Sequence, residues 1–272
     1  MRQAQKARRE FPYWLLAAGV IAVLFAWFIA VDGDYHQIFL NLSRGIWTTL
    51  IVAFVSFFCA CALGLGIALA RTSERRLFRE FASFYTEVMR GLPILVVLFY
   101  IAFVGAPQLV ALYNLVFSWA IELGWLDKIR VRDFSMSARA ILALTLCYSA
   151  FIAEIFRAGI ESIPRGQVEG AMALGLSKWQ TFRLVVWPQA LKNVLPPLGN
   201  DFIAMIKDSA LVSVLGVQDI TQLGKIYSAS TFLFFETYNV VAYLYLTMTM
   251  SLSLCVRGLE RHLKRNSHDT AA

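Results

Sequence analysis

Charge is scarce in this sequence. Asp, Glu, Lys and Arg make up 16% of its 272 residues, against roughly 25% in an ordinary soluble domain, and that scarcity excludes a water-exposed globular surface of normal extent. Cysteine and histidine are rarer still. Cys59, Cys61, Cys147 and Cys255 all fall in apolar stretches, where thiols act as small packing groups, and helical spacing puts Cys59 and Cys61 on different faces; no disulfide is expected. His36, His262 and His268 are scattered without ligand spacing, so no metal site is expected. A phosphate-binding loop of the G-x-x-x-x-G-K-[ST] type is missing too: Gly224-Lys225 is followed by Ile226, and Gly216 stands at the wrong distance. ATP hydrolysis by this chain alone is thereby excluded.

What is present is apolar. Hydrophobic residues make up 58% of the chain and aromatic ones 14%, gathered in uncharged runs of about the 17 to 25 residues that carry a helix across about 30 Å of hydrocarbon. Six spans are predicted, over 14–31, 46–70, 92–112, 137–156, 238–256, and an irregular one from Pro196-Pro197 to Ile206, interrupted by Lys207-Asp208-Ser209 and resumed over 210–217. The first has a poor cleavage site at Ala30-Val31-Asp32 and is read as a retained anchor. In the second, Ala60, Gly64 and Ala68, and again Ala62, Gly66 and Ala70, have the spacing that lets helix backbones approach closely in lipid. Residues 110–123 read as an interfacial helix rather than a seventh span.

With both termini inside, 18 of the 25 Lys and Arg fall in cytoplasmic segments, as the positive-inside rule expects. The net charge of +7 therefore reports topology, because the basic residues sit in clusters between apolar runs rather than along one polar face; no nucleic acid partner is expected.

The connection 157–189 is longer than a simple turn needs and carries its own helix signals. Pro164 stands at a helix start, Val168, Ala171 and Met172 share one side, and Gly175 is a stop. Ser177-Lys178-Trp179-Gln180 has the form of a capping box, after which Trp179, Phe182 and Val186 recur at helical spacing until Pro188 ends the element. Two short helices meeting at a glycine on the cytoplasmic face are predicted, with an amphipathic linker on the lipid headgroups as the alternative.

Glu169-Gly170-Ala171, then Gly175, then Val185, Trp187 and Pro188 resemble the E-A-A-x3-G-x9-I-x-L-P loop of permease subunits in binding-protein-dependent ABC importers; Gly170, Val185 and Trp187 depart from the strict pattern. Thr48-Thr49-Leu50, Arg90-Gly91-Leu92-Pro93, Ala153 to Ile160 and Ile206 to Leu211 are similar to signatures of the polar amino acid subfamily. The resemblance implies an all-α, polytopic membrane helical bundle of the type I importer permease kind in the bacterial inner membrane. It divides the chain into 1–45 (basic start, additional anchor helix and outer link), 46–261 (transmembrane domain) and 262–272 (cytoplasmic tail). Expected partners are an ABC ATPase dimer that holds ATP and magnesium, a periplasmic amino-acid-binding protein, a second permease subunit, membrane lipid and a polar amino acid as substrate, with no cofactor in this chain. Coupling to the ATPase passes by resemblance to Glu169, Gly170, Ala171 and Gly175. Glu169 either pairs with a basic residue of the ATPase or caps its own loop.

A charge near the bilayer centre costs about 2.5 to 3.5 kcal/mol and needs a partner or water. Glu154, one turn from the cytoplasmic end of its span, reads as a structural ion pair with Arg90 or Arg157. Lys207, Asp208 and Ser209 are the candidates for the translocation pathway, a kink in which Lys207 and Asp208 satisfy each other being the alternative. A secondary transporter would show internal repeats and a membrane enzyme a cluster of catalytic side chains; neither is found.

Overall fold

A computed structural model describes residues 13–268; the basic start at Arg2, Lys6, Arg8 and Arg9 lies outside them. Every regular element among the described residues is helical. Helix α1 (Tyr13–Val31) turns at Asp32 into α2 (Gly33–Arg71), and Asp32 Oδ1 accepts from the backbone N–H groups of Asp34 and Tyr35, both at 3.1 Å. That satisfies two of the four donors a helix start leaves unpaired. The division expected at residue 45 falls inside this continuous helix.

The connection that follows is itself a helix, α3 (Arg76–Gly91). It turns Ala82 and Thr86 to the bundle and leaves Leu77, Phe78, Phe81 and Phe84 outside. Next, α4 (Ile94–Tyr100) and α5 (Ala106–Val116) are joined by a π-helical turn at Ile101–Gly105. The rod therefore runs past residue 110, and of the interfacial helix expected there only α6 (Ser118–Glu122) is separate. Central to the bundle is α7 (Met136–Glu161), capped by Ser135.

Two short helices, α8 (Arg165–Ala173) and α9 (Lys178–Thr181), lead through a second π turn at Phe182–Val186 into α10 (Trp187–Asp208). Pro188 does not end the element, as the sequence pattern suggested. It sits in the first turn of α10, and the π turn before it absorbs the clash and the missing N–H that a proline brings to a helix. A 3-10 segment (Ser209–Leu215) stops at Gly216, whose φ is +78°, and the chain closes with α11 (Ile220–Thr231) and α12 (Phe234–His268).

Among the described residues, four helices are long and apolar enough to cross a membrane by length and composition: Gly33–Arg71, Ile94–Val116, Met136–Glu161 and Phe234–Glu260; Leu16–Val31 is a shorter apolar helix. The core is built on the pairing of α2 with α7. Ser56, Ala60, Gly64 and Ala68 are buried along α2 at four-residue intervals, facing Ser149, Ile152 and Ala153. The second small-residue stripe does not pack: Ala62 is exposed and Gly66 has open space around it. A second apolar cluster joins Ile29 of α1 and Ile38 and Leu42 of α2 to Ile220 of α11 and Val240 of α12.

A Cβ at Gly64 would lie 2.9 Å from Ser149 O and Ile152 Cγ2. Gly64→Leu is expected to cost about 1 to 3 kcal/mol by overpacking, lowering the thermal midpoint of the chain in detergent by several degrees. Gly66→Leu should stay within about 0.5 kcal/mol of the parent. Equal midpoints for the two variants would contradict the assigned α2 face.

Candidate functional site

The loop between α7 and α10 folds on local signals. Leu176 N–H donates to Ala171 O at 3.2 Å and Gly175 N–H to Met172 O at 3.0 Å, the paired bonds of a Schellman stop, which needs a left-handed residue after the cap. Gly175 supplies it at φ +87°, with open space around a would-be Cβ. The reason for glycine is thus backbone conformation, and the close helix contact expected there is absent. Ser177 Oγ accepts from Gln180 N–H at 3.3 Å while Ser177 N–H donates to Gln180 Oε1 at 2.9 Å, completing the capping box.

Within the loop, Ala171 is buried, and Val168 and Phe182 pack on Ile163, Val186 and Ala190. Leu174 and Trp179 project outward, 84% and 67% exposed. Glu169 and Gly170 are on the exposed side. With both caps filled by other groups, Glu169 makes no hydrogen bond or ion pair among the described residues and does not cap its own loop. Lys178 Nζ donates to Glu74 Oε1 at 2.5 Å across to the α2–α3 turn, and this bond holds the exposed Glu74 carboxyl below the ordinary carboxylate range.

Glu154 collects three arginines from three helices. Arg157 donates from Nε and Nη2 to Oε2 at 2.9 and 2.7 Å, and Arg71, at the end of α2, donates to Oε1. Of the two partners expected, Arg157 makes two of these bonds and Arg90 stands farther off at 3.5 Å. Arg71 and Glu154 are 15% and 20% exposed at the side chain and Arg90 42%, so Arg71 and Arg157 are the principal partners. Arg157 passes a second bond to Glu161 at 2.6 Å.

The candidate pathway residues do not form one cluster. The helix is unbroken through Lys207 and Asp208 and then tightens to a 3-10 segment, whose first backbone N–H, at Ser209, bonds to Met205 and Lys207 carbonyls. That N–H is therefore satisfied within the chain. Ser209 is buried and donates to Ile206 O at 2.7 Å, Lys207 is exposed, and Asp208 accepts from Tyr148 Oη at 2.7 Å rather than pairing with Lys207.

Three residues in the interior were not singled out from the sequence. Tyr148 is one. Asp201 is another, two turns before Asp208 on α10, with its Oδ2 enclosed and unbonded; the seven-residue interval was the available signal. The third is Arg139, 5% exposed, which donates to Ala102 O at 3.0 Å, Phe134 O at 2.9 Å and Val131 O at 2.5 Å. In the π turn Ala106 N–H bonds to Ile101 O, so the next donor would come from Pro107, which has none. Arg139 satisfies the Ala102 carbonyl left over.

Residues 62–268 match the family described as the binding-protein-dependent transport system inner membrane component. Among curated proteins, the probable amino-acid ABC transporter permease protein YckA of Bacillus subtilis is 38% identical over 202 residues, 74% of this chain and 80% of that one. The glutamine transport system permease protein GlnP of Escherichia coli is 34% identical over 223 residues, 82% of this chain and 93% of that one. The arginine transport system permease protein ArtQ of Bacillus subtilis is 32% identical over 225 residues, covering 83% and 93%. Among solved structures, an amino acid ABC transporter with histidines has a TM-score of 0.68 at 35% identity over 84% of this chain and 95% of that one. The methionine transporter MetNI in an inward-facing conformation, at 20% identity and a TM-score of 0.62 over 86% and 99%, shares the fold.

Glu154→Gln leaves three guanidinium groups facing one another and is expected to cost about 2 kcal/mol, below the 3 to 5 kcal/mol of a fully buried pair because the site is partly wet. Arg90→Gln should cost less than about 0.5 kcal/mol. Thermal unfolding in detergent, followed by tryptophan fluorescence, measures both; a larger loss for Arg90→Gln would reverse the order of partners.

Proposed function

Because the chain belongs to the family of binding-protein-dependent transport system inner membrane components, we propose that it is the permease subunit of an ABC importer that moves a polar amino acid across the inner membrane, driven by ATP hydrolysis on a separate subunit. The observation that carries the coupling role is the loop tip: a rigid two-helix unit, stopped and capped by its own residues, that presents the unpaired Glu169 and the apolar Leu174 and Trp179 to the outside. A short helix transmits displacement better than a flexible loop, so this unit suits docking in a groove of an ATPase dimer, with the exposed Glu169 and Gly170 at the contact and the buried Ala171 and the Gly175 stop holding the loop in shape behind them. ATP and magnesium belong to that partner, and a periplasmic binding protein and a second permease subunit complete the assembly.

The topology that fits is six crossings with both termini inside, made by α1, α2, α4–α5, α7, α10 with its 3-10 extension, and α12. Cysteines placed at Asp34 and Asp127 in a thiol-free variant should react with an impermeant reagent from the periplasm, and one at Lys178 should not. Reaction of Lys178→Cys from outside would overturn this map. Within the membrane, Asp208 with Tyr148 and the nearby Asp201 and Lys207 supply charge and hydrogen bonds for a zwitterion in transit. Asp208→Ala should lower flux while leaving the ATPase bound.

In vesicles containing the permease, its ATPase and the binding protein, ATP-dependent uptake of at least one polar amino acid is expected, and uptake of none would sink the proposal. Gly175→Val, which strains a left-handed position and costs about 1 to 2 kcal/mol, should reduce binding-protein-stimulated ATP hydrolysis roughly tenfold with little change in the melting of the membrane part. Full stimulated hydrolysis in Gly175→Val would return the loop to a headgroup linker.

A further inference from the structure

At the far end of α2 from the Glu154 cluster, α2 and α11 flank an open-mouthed cavity of about 310 Å³. Its polar wall is Asn41, Arg44 and Thr48, spaced along one face of α2, opposed by Gln218, Tyr227 and Ser230. Arg44 precedes Arg71 by 27 positions, about 40 Å of helix at 1.5 Å per residue, more than the roughly 30 Å of hydrocarbon. The cavity therefore lies at the membrane face opposite the coupling loop.

Backbone contacts fix its shape. A Cβ at Gly45 would lie 2.6 Å from Ile220 N, so α2 and α11 touch main chain to main chain, and Ile220 N–H reaches Thr49 Oγ1 at 3.4 Å. The buried Asp219 anchors the same junction, accepting from Gln222 N–H at 2.8 Å and Tyr245 Oη at 3.1 Å. From α11, Lys225 Nζ donates to Ser213 Oγ at 2.9 Å, which ties the cavity wall to the 3-10 segment that follows Asp208.

The charge balance of the cavity is one-sided. No carboxylate lines it, and Arg44 makes no ion pair among the described residues. Asn41 spends an amide N–H on Gln37 O at 2.8 Å, leaving its own carbonyl to accept. A fork of guanidinium donors matches a carboxylate with two parallel bonds, the neutral acceptors suit an ammonium, and Leu223 and Ile226 provide an apolar side. The volume is at the small-molecule end of binding cavities.

We propose that this cavity is an outer amino acid site, in which Arg44 receives the α-carboxylate before the substrate reaches Asp208. It rests on the amino-acid transport reading and adds a second position to the route.

The test uses the full chain, free of native thiols, reconstituted with its ATPase in phosphatidylcholine vesicles without binding protein. Ser230→Cys, and separately Gln218→Cys, report occupancy through reaction with an impermeant maleimide. A mixture of the nineteen standard L-amino acids other than cysteine, whose thiol would consume the maleimide, at millimolar concentration should slow labelling roughly tenfold, as expected for a site well above half occupied. Arg44→Gln should abolish the protection. If arginine protects, agmatine, its decarboxylated counterpart, should not.

Unchanged labelling in the presence of the mixture, at both reporters, overturns the site, as does protection that survives Arg44→Gln. Protection that requires phosphatidylglycerol in the vesicles and no amino acid assigns the cavity to a lipid headgroup and also overturns it. ATP-dependent uptake by the complete assembly, measured in parallel, separates the two readings: uptake without protection removes the outer site alone, whereas absence of uptake removes the transport function.

Discussion

A peptide group carried into hydrocarbon without a hydrogen-bond partner costs several kcal/mol, and the irregularities of this chain are arranged around that penalty. Pro107 and Pro188 each remove a donor from a long helix, and each is preceded by a π-helical turn that shifts the bonding register past the ring. At Pro107 one carbonyl, Ala102 O, is still left over, and Arg139 from α7 donates to it. A guanidinium could not be buried at that point unless backbone oxygens surrounded it, and three do. The same requirement explains the passage beyond Asp208, where the helix tightens to 3-10 instead of opening. At these points charge enters the interior on side chains while the helical bonding continues, whereas Pro196 and Pro197 inside α10 withhold two donors with no π turn directly before them.

The end of the bundle that carries the α8–α9 loop follows a different logic. Water is available there, so carboxylates and guanidinium groups can hold helix ends together without the desolvation cost they would meet at mid-membrane. Glu154 joins the ends of α2, α3 and α7 through Arg71, Arg90 and Arg157. The loop that begins three residues after Glu161 is keyed to α10 by Ile163, Val186 and Ala190 and to the α2–α3 turn by Lys178 and Glu74. In the proposed importer, displacement of that loop by an ATPase therefore reaches four helices at once, and the outer cavity lies at the other end of one of them.

Much of this was legible in the residues. The two-helix loop, its glycine stop and its Ser177–Gln180 box were predicted and are present, because each depends on groups within about four residues of one another. Pro188 misled for the complementary reason: alone it reads as a stop, and only the π turn ahead of it lets the helix continue. The stripe at Ala62, Gly66 and Ala70 obeys the same spacing rule as the one at Ala60, Gly64 and Ala68, yet only the latter meets α7. Spacing identifies a face and is silent about what stands opposite it.

The sequence by itself determined that the chain is helical, where its apolar runs lie, how the loop between α7 and α10 is capped and to which family the loop motif points, since composition and short-range bonding decide all of these. Tertiary structure alone decided that Glu154 belongs to Arg71, 83 positions away, that Asp208 belongs to Tyr148, 60 positions away, and that Arg139 answers a carbonyl 37 positions away. The physical reason is that in a medium without water a buried polar group takes whichever partner the packing of helices brings within 3 Å or so, and which helices pack together is set by the close fit of their faces, a property of two segments jointly and of neither alone.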